Sequence, residues 1–111
     1  MYLEFENNKE KLIVHMKGEL DHHSAEEVRN IIDDRLDRSS IIKLIMDFSE
    51  VSFMDSSGIG VVIGRYKKLS SKQGSICITN VSDTVKRVFE LSGMFKIIHI
   101  YDDVQKAIES I

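Results

Sequence analysis

Short apolar runs separated by single segments of helical periodicity constrain this fold more than any other feature of the sequence. The run IIKLIMDF, residues 41–48, is almost wholly apolar, which is typical of a strand at the centre of a sheet. Shorter strand-like runs occupy residues 1–5, 11–18, 75–79 and 96–101. Because one helical segment separates each later pair of runs, the pattern predicts mainly parallel strands joined by right-handed crossovers.

Apolar stripes at helical spacing predict the helices between these strands. The stripes comprise Ala25, Val28, Ile31, Ile32 and Leu36, then Ile59, Val62, Ile63, Tyr66 and Leu69, and then Val81, Val85, Val88, Phe89 and Leu91. Ser24 and Glu27 have the spacing of a capping box at the start of the first helix. We expect Gly93 to end the third helix and Asp102 or Asp103 to cap a fourth.

The whole chain, residues 1–111, is expected to be one small α/β domain. We predict a mixed, mostly parallel sheet of four to five strands with about four helices. The first strand should run antiparallel to the second, because only a short polar turn joins them. The pattern leaves the order of the strands in the sheet open.

Composition excludes several classes of function. The formal net charge is −3 and the lysines are scattered, which disfavours nucleic-acid binding. No apolar run approaches the ~20 residues of a transmembrane helix, and the first residues do not have the pattern of a secretory signal. The single Cys77 cannot form an internal disulfide and suits a reducing compartment. We therefore expect a cytoplasmic protein with no membrane partner, no metal and no cofactor of its own.

The segment FMDSSGIGVVIG, residues 53–64, carries the most distinctive chemistry. A serine-hydrolase elbow has the form G-x-S-x-G, with glycine two positions before the nucleophile. Met54 and Asp55 occupy those positions before Ser56 and Ser57, so neither serine fits. The sequence therefore disfavours a hydrolase.

Three glycines in the same segment suggest a nucleotide site as an alternative. Gly58, Gly60 and Gly64 form G-x-G-x-x-x-G, which is one residue longer than the dinucleotide fingerprint. Gly60 and Gly64 are better explained by a helix that approaches the sheet closely, since each glycine costs about 1 kcal/mol against alanine inside a helix. A weak nucleotide site at the helix start stays open.

Asp55 is predicted to cap the second helix, because its carboxylate can accept from the backbone amide of Ser57 or Gly58. Ser56 and Ser57 then lie at the positive end of the helix dipole, where a phosphate is tolerated. Physical reasoning does not choose between the two serines. A structural alternative is that both are only helix-start residues. If the second and third strands are parallel, residues 19–23 lie beside these serines at the ligand-binding edge of the sheet.

The four histidines do not have the spacing of a metal site. His22 and His23 are adjacent, and adjacent side chains rarely converge on one ion, so we expect both to be solvated. His15 and His99 lie inside strands and are expected to be hydrogen-bonded sheet residues.

Three blocks of the chain resemble the bacterial anti-sigma factor antagonists of the STAS family. The blocks are GELDHHSAEEV, DFSEVSFMDSSGIGVVIGRYK and VKRVFELSGMFKII, and they match in order and spacing over essentially the whole chain. The resemblance is strongest to the sporulation branch, which acts against the anti-sigma factor of sigma F. It implies a binding module that is switched by phosphorylation and is not an enzyme.

The resemblance also implies roles for particular residues. Ser56, directly after the motif's aspartate, is expected to be phosphorylated by the anti-sigma factor, a serine kinase with bound ADP or ATP. The unphosphorylated chain is expected to bind that kinase and release the sigma factor, and a serine phosphatase to reverse the modification. The implied partner-facing residues are Asp21, His22, Asp55, Ser57, Gly58, Ile59 and Gly60. A STAS antagonist of another stress-response pathway, or a weak nucleotide-binding or nucleotide-hydrolysing protein, remains an alternative.

Overall fold

A computed structural model describes all 111 residues and has the predicted order of strands and helices. The strands are β1 (Tyr2–Asn8), β2 (Lys11–Leu20), β3 (Lys43–Met54), β4 (Ser75–Thr79) and β5 (His99–Tyr101). The helices are α1 (Ala25–Asp37), α2 (Ser56–Ser70), α3 (Asp83–Ser92) and α4 (Val104–Ser110). A 3₁₀ turn, Met94–Lys96, precedes β5. None of the helices combines the length and the hydropathy needed to cross a membrane.

The five strands form one sheet in the order β1-β2-β3-β4-β5, so β3 lies at its centre. β1 pairs antiparallel with β2, and every other pair is parallel. This confirms the predicted reversal of the first strand and the central position of the most apolar run. It also supplies the strand order, which the sequence pattern left open.

The two faces of the sheet are covered very differently. α1, α2 and α3 pack on one face over a continuous cluster of 21 buried apolar residues, which includes Phe48 and Phe89 in edge-to-face contact. On the other face, α4 covers only a small cluster of four buried residues. These four residues are Ile13, Ile45, Cys77 and Ala107. Burial raises the pKa of the Cys77 thiol to about 12, which keeps it protonated.

β3 is longer than predicted and ends at Met54 instead of Phe48. The pairing with β2 shifts register twice, between His15 and Lys17 and between Gly18 and Glu19. Such bulges break the strict alternation of apolar and polar residues on which the sequence prediction depends. The extension carries the strand directly to the Asp-Ser-Ser segment.

β5 is shorter than predicted, and two positions of the predicted stripes are solvent-exposed. The run expected to be a strand from residue 96 begins within the 3₁₀ turn, so that only His99–Tyr101 pairs with β4. Ile31 lies at the exposed edge of α1, and Leu91 is 77% exposed at the end of α3. Gly93 ends α3 in the left-handed conformation as predicted, with φ 77°.

An ion pair that the sequence did not predict joins α2 to α1. The Nε atom of Arg65, a buried residue, lies 2.8 Å from Oδ1 of Asp33. Nζ of Lys68 on α2 likewise lies 2.8 Å from Oδ1 of Asp37 on α1. These contacts add to apolar packing in setting the position of α2, whose first residues form the candidate site.

Candidate functional site

The carboxyl ends of β2 and β3 lie side by side, as the parallel pairing predicts. Leu20 and Met54, the last residues of the two strands, are register partners. Beyond them the backbone amide of Asp55 donates to the carbonyl oxygen of Leu20 over 3.3 Å. The loop that begins at Asp21 and the start of α2 therefore form one surface, which we call the rim and define as residues 19–24 and 53–60.

Asp55 caps α2 as predicted. Its backbone is extended, and its Oδ1 atom accepts from the amide of Ser57 over 2.8 Å. Ser56 is the first helical residue and is exposed, and its hydroxyl makes no hydrogen bond within the chain. Ser57, one residue later, is partly buried. Neither hydroxyl is bonded within the chain, and Ser56 is the more exposed of the two residues.

Gly58 is the glycine at which α2 approaches the sheet closely. A Cβ atom at this position would overlap the side chain of Met54 and lie 3.1 Å from Cγ of Leu20. At Gly60 and Gly64, by contrast, an added Cβ meets nothing within 4 Å, so their predicted close packing is wrong. All three glycines lie inside α2, and the chain therefore has no glycine loop there to enclose a phosphate.

The loop opposite α2 is held by Asp21 and Ser24. Oδ1 of Asp21 accepts from the amides of His23 over 2.9 Å and Ser24 over 3.2 Å. Desolvation opposes ionisation, but these two amides outweigh it and lower the pKa of Asp21 below its ordinary value. Asp21 is therefore a carboxylate at neutral pH, with Oδ1 engaged within the loop.

Ser24 starts α1 without forming the predicted capping box. Its hydroxyl donates to the carbonyl of Glu19 over 2.7 Å and accepts from the amide of Asp21 over 3.1 Å. It makes no capping hydrogen bond to the helix, because the chain already turns in helical geometry at this residue. The capping-box prediction is therefore wrong, and Ser24 instead closes the loop before the helix.

The remaining predicted rim residues lie on the same surface. His22 and His23 are exposed, and their ring centroids are 3.9 Å apart. Ile59 is partly buried against the core, and Gly60 is exposed. His99 lies in β5 and pairs with β4, as expected of a sheet residue, but its ring makes no hydrogen bond and lies beside the Tyr101 ring.

Phe53 is a rim residue that sequence reasoning missed. It pairs with Glu19 across β2 and β3 and is 45% exposed, two residues before Asp55. A large apolar side chain at a partly polar surface is typical of a protein contact. The signal was present in SFMD, where the buried Met54 implies that its neighbour Phe53 points the other way.

The rim offers a hydroxyl but no catalytic machinery around it. Neither the hydroxyl of Ser56 nor that of Ser57 is hydrogen-bonded to a histidine or a carboxylate, since Asp55 is bonded to the backbone amide of Ser57 and not to its hydroxyl. A serine nucleophile requires such a base within hydrogen-bond reach. The structure therefore gives neither serine the surroundings of an activated nucleophile.

The chain is similar to known regulatory proteins over nearly its full length. The STAS domain family model matches residues 2–107. An anti-sigma F factor antagonist of Paenibacillus polymyxa is 38% identical over 108 residues, which cover 97% of this chain and 92% of the relative. An anti-sigma-B factor antagonist of Listeria monocytogenes is 33% identical, over 86% of this chain and 82% of the relative.

Solved structures of the anti-sigma factor antagonist SpoIIAA have the same fold. The unphosphorylated form superimposes with a TM-score of 0.84 at 33% identity, over 97% of this chain and 94% of that one. The phosphorylated form from Bacillus gives a TM-score of 0.75 at 32% identity, over 97% of both chains.

Proposed function

This chain belongs to the STAS domain family, and we propose that it is an anti-sigma factor antagonist that is switched off by phosphorylation on Ser56. In its unphosphorylated form it binds an anti-sigma factor, a serine kinase with bound ADP or ATP, and so releases a sigma factor in the bacterial cytoplasm. A serine phosphatase restores the active form. The relatives named for sigma F favour the sporulation sigma factor as the one released.

One observation carries this proposal: the hydroxyl of Ser56 is exposed and unbonded at the first residue of α2. A kinase needs a hydroxyl that it can reach without breaking the fold. A phosphate at this position lies at the positive end of the helix dipole, where negative charge is tolerated. Modification can therefore change binding while the domain stays folded.

The charges of the rim explain how a phosphate would weaken binding. Asp21 and Asp55 already place two carboxylates on this surface, and a phosphoserine adds a charge of about −1.5 to −2 at pH 7. Bringing that charge into a protein contact costs desolvation and like-charge repulsion, and each 1.4 kcal/mol of cost raises Kd about tenfold. No rearrangement of the sheet or helices is needed.

The apolar part of the proposed contact is formed by Phe53 and Ile59. Phe53 is exposed at the end of β3, and Ile59 lies one turn into α2 beyond Ser56. Aromatic side chains surrounded by polar groups supply much of the binding energy in protein interfaces. We therefore include both residues in the surface that the anti-sigma factor covers, together with His22, Ser57 and Gly60. Gly58 is buried and does not face the partner; it lets α2 pack against Met54 and Leu20.

Titration calorimetry with a purified anti-sigma factor and ADP tests the function. We expect the unphosphorylated chain to bind, and the same chain after treatment with the kinase and ATP to bind at least ~100-fold more weakly. The control is Ser56→Ala treated in the same way, which should retain full binding. Equal affinity of the wild-type chain before and after confirmed phosphorylation would contradict the proposal.

A second candidate is antagonism in the sigma B stress-response pathway. The similarity to the anti-sigma-B factor antagonist of Listeria monocytogenes favours it. The rim chemistry is the same in both cases, so the partner alone distinguishes them. Calorimetry against the sigma F and the sigma B anti-sigma factors of the same organism decides this, because only the cognate kinase should bind tightly.

A further inference from the structure

The sheet face opposite α1, α2 and α3 carries a polar cluster that the rim does not use. α4 covers this face at Ile13, Ile45 and Cys77, and beyond it a groove of about 640 Å³ crosses β1, β2 and β3. Its lining includes Glu6 on β1, His15 on β2, and Asp47 and Ser49 on β3. The groove therefore crosses the strands from the edge of the sheet to its centre.

Asp47 is the buried anchor of this cluster. The residue is 5% exposed, although it carries a charge at the centre of the sheet. Its Oδ1 atom accepts from the Ser49 amide over 3.0 Å, from Nδ2 of Asn80 over 3.0 Å and from the Thr79 hydroxyl over 3.4 Å. Its Oδ2 atom accepts from the Ser49 hydroxyl over 3.1 Å. A buried carboxylate needs such partners to remain ionised.

His15 connects this anchor to the edge strand. Its Nδ1 atom lies 2.7 Å from Oδ2 of Asp47, and its Nε2 atom lies 3.1 Å from Oε1 of Glu6. Ionised carboxylates can only accept hydrogen bonds, and a neutral imidazole carries a single N–H. Both bonds can therefore exist together only when His15 is the doubly protonated imidazolium.

The surrounding charges favour that cation. Glu4 lies opposite His15 in the β1–β2 register, and Glu50 lines the same groove, with Lys17 as the other cation nearby. Burial acts against protonation, but the hydrogen bonds and charges of Asp47 and Glu6 outweigh it, so the pKa of His15 is raised. Desolvation opposes ionisation of Asp47 as well, yet the bonds from His15, Ser49 and Asn80 lower its pKa.

We propose that His15 forms a proton-dependent bridge that fastens the edge strand β1 to the centre of the sheet. The bridge acts in addition to the function proposed for the rim and does not depend on it. When His15 loses its second proton, the contact with Asp47 can persist, whereas the contact with Glu6 loses its donor. β1 is then held only by its pairing with β2 and by apolar packing.

The direction of the pH dependence follows from these shifts. Since the folded pKa of His15 lies above its ordinary value, the bridge stabilises the fold fully below about pH 6.5 and ceases to do so as the pH rises through the folded pKa. Since the folded pKa of Asp47 lies below its ordinary value, its contribution is present above about pH 3.9 and is lost as the pH falls through that lower value. The bridge is therefore complete in mildly acidic solution and weakens under alkaline conditions.

NMR titration of the histidine rings in the full chain tests the protonation state. We expect His15 to titrate above the ordinary histidine pKa, and both of its ring nitrogens to carry protons in mildly acidic solution. The spectrum of His15→Gln assigns the signals. A titration midpoint at or below the ordinary histidine pKa of about 6.5 would overturn the proposal.

Hydrogen exchange of the backbone amides tests the fastening of β1. After correction for intrinsic exchange, protection of β1 should fall about three- to tenfold as the pH rises through the His15 midpoint, the size expected of one partly exposed charged hydrogen bond. β5, the edge strand at the other side of the sheet, should show no such change.

Two variants of β1 isolate the bridge from general charge effects. Glu6→Gln should lower the His15 midpoint and remove the pH-dependent change in β1 protection, and both side chains are solvent-accessible enough for the fold to tolerate the change. Glu4→Gln on the same strand removes a charge from the groove but no hydrogen bond to the ring, and should leave the pH-dependent change in β1 protection intact, with at most a lower midpoint. Loss of that change in Glu4→Gln, or its persistence in Glu6→Gln, would contradict the proposed bridge.

Discussion

Two helices begin at the same edge of the sheet with an aspartate and a serine, but they use their serines in opposite ways. At α1, the hydroxyl of Ser24 is bonded to Glu19 and Asp21 and is partly buried. At α2, Asp55 alone caps the helix, and the hydroxyl of Ser56 makes no bond and faces solvent. One serine is required by the fold, and the other is free for a chemical modification.

The difference follows from the backbone at each start. The chain enters α1 through a turn that is already helical at Ser24, so its side chain points back into the loop. It enters α2 from an extended Asp55, which places Ser56 at the first helical position, where the residue is exposed to solvent. A regulatory serine can be distinguished from a structural one by asking whether the native hydrogen bonds need its hydroxyl.

The largest expected effect is on partner binding, with Ser56→Asp. A carboxylate at this position resembles the modified side chain only in part, so we expect affinity for the anti-sigma factor to fall about 10- to 100-fold, because charge is brought into the contact. The melting temperature should stay close to that of the wild type. Calorimetry and thermal unfolding measure the two properties.

Ser24→Ala is the matched control for this comparison, because it alters the serine at the neighbouring helix start. It should lower affinity far less than Ser56→Asp does, because it loosens the Asp21 loop but brings no charge into the contact. If Ser24→Ala weakened binding as much as Ser56→Asp, the division between a structural and a regulatory serine would fail.

The next effect concerns the glycines of α2. Gly58→Ala should lower the free energy of unfolding by about 1–2 kcal/mol, because overlap with Met54 and contact with Leu20 outweigh the better helix propensity of alanine. Gly64→Ala meets open space and should raise it by up to about 1 kcal/mol. Urea denaturation of both variants measures the difference, and the same sign for both would contradict the packing described for α2.

A smaller difference is expected between two alanine substitutions. Ser24→Ala should lower the free energy of unfolding by about 1 kcal/mol, because it removes a hydroxyl with two backbone partners. Ser56→Ala should change it by less than about 0.5 kcal/mol, as for an exposed side chain without bonds. Denaturation under the same conditions measures both, and equal losses would show that the fold uses the Ser56 hydroxyl after all.

The parts of the fold that depend on short-range sequence patterns were predictable from sequence. β4 occupies Ser75–Thr79 as predicted, because an apolar run is bounded by Gly74 and Asn80. The cap at Asp55 was predictable because a carboxylate precedes a helical stripe. These features depend only on neighbours in the chain.

The features that failed depend on contacts between distant segments. β3 continues beyond Phe48 because it pairs with β2 past two bulges, and no local sequence pattern predicts these bulges. The spacing of the glycines led to the wrong prediction that Gly60 and Gly64 pack closely, because only the positions of Leu20 and Met54 show that the closely packed glycine is Gly58. The hydrogen bond from Ser24 to Glu19 could likewise not be predicted, because the spacing of Ser24 and Glu27 fitted a capping box equally well.

The site itself could be predicted in part. Parallel pairing of β2 and β3 brought the Asp21 loop to the start of α2, and the structure confirms this arrangement. The choice of Ser56 over Ser57 came from family resemblance and stays a prediction; Ser56 is the more exposed of the two residues.

Mapping of the phosphate by tandem mass spectrometry tests the central claim most directly. After incubation of the wild-type chain with its anti-sigma kinase and ATP, we predict one phosphate on Ser56 and none on Ser57 or Ser24. Ser56→Ala should remain unmodified under the same conditions. A phosphate on Ser57 of the wild-type chain, or modification of Ser56→Ala, would contradict the account.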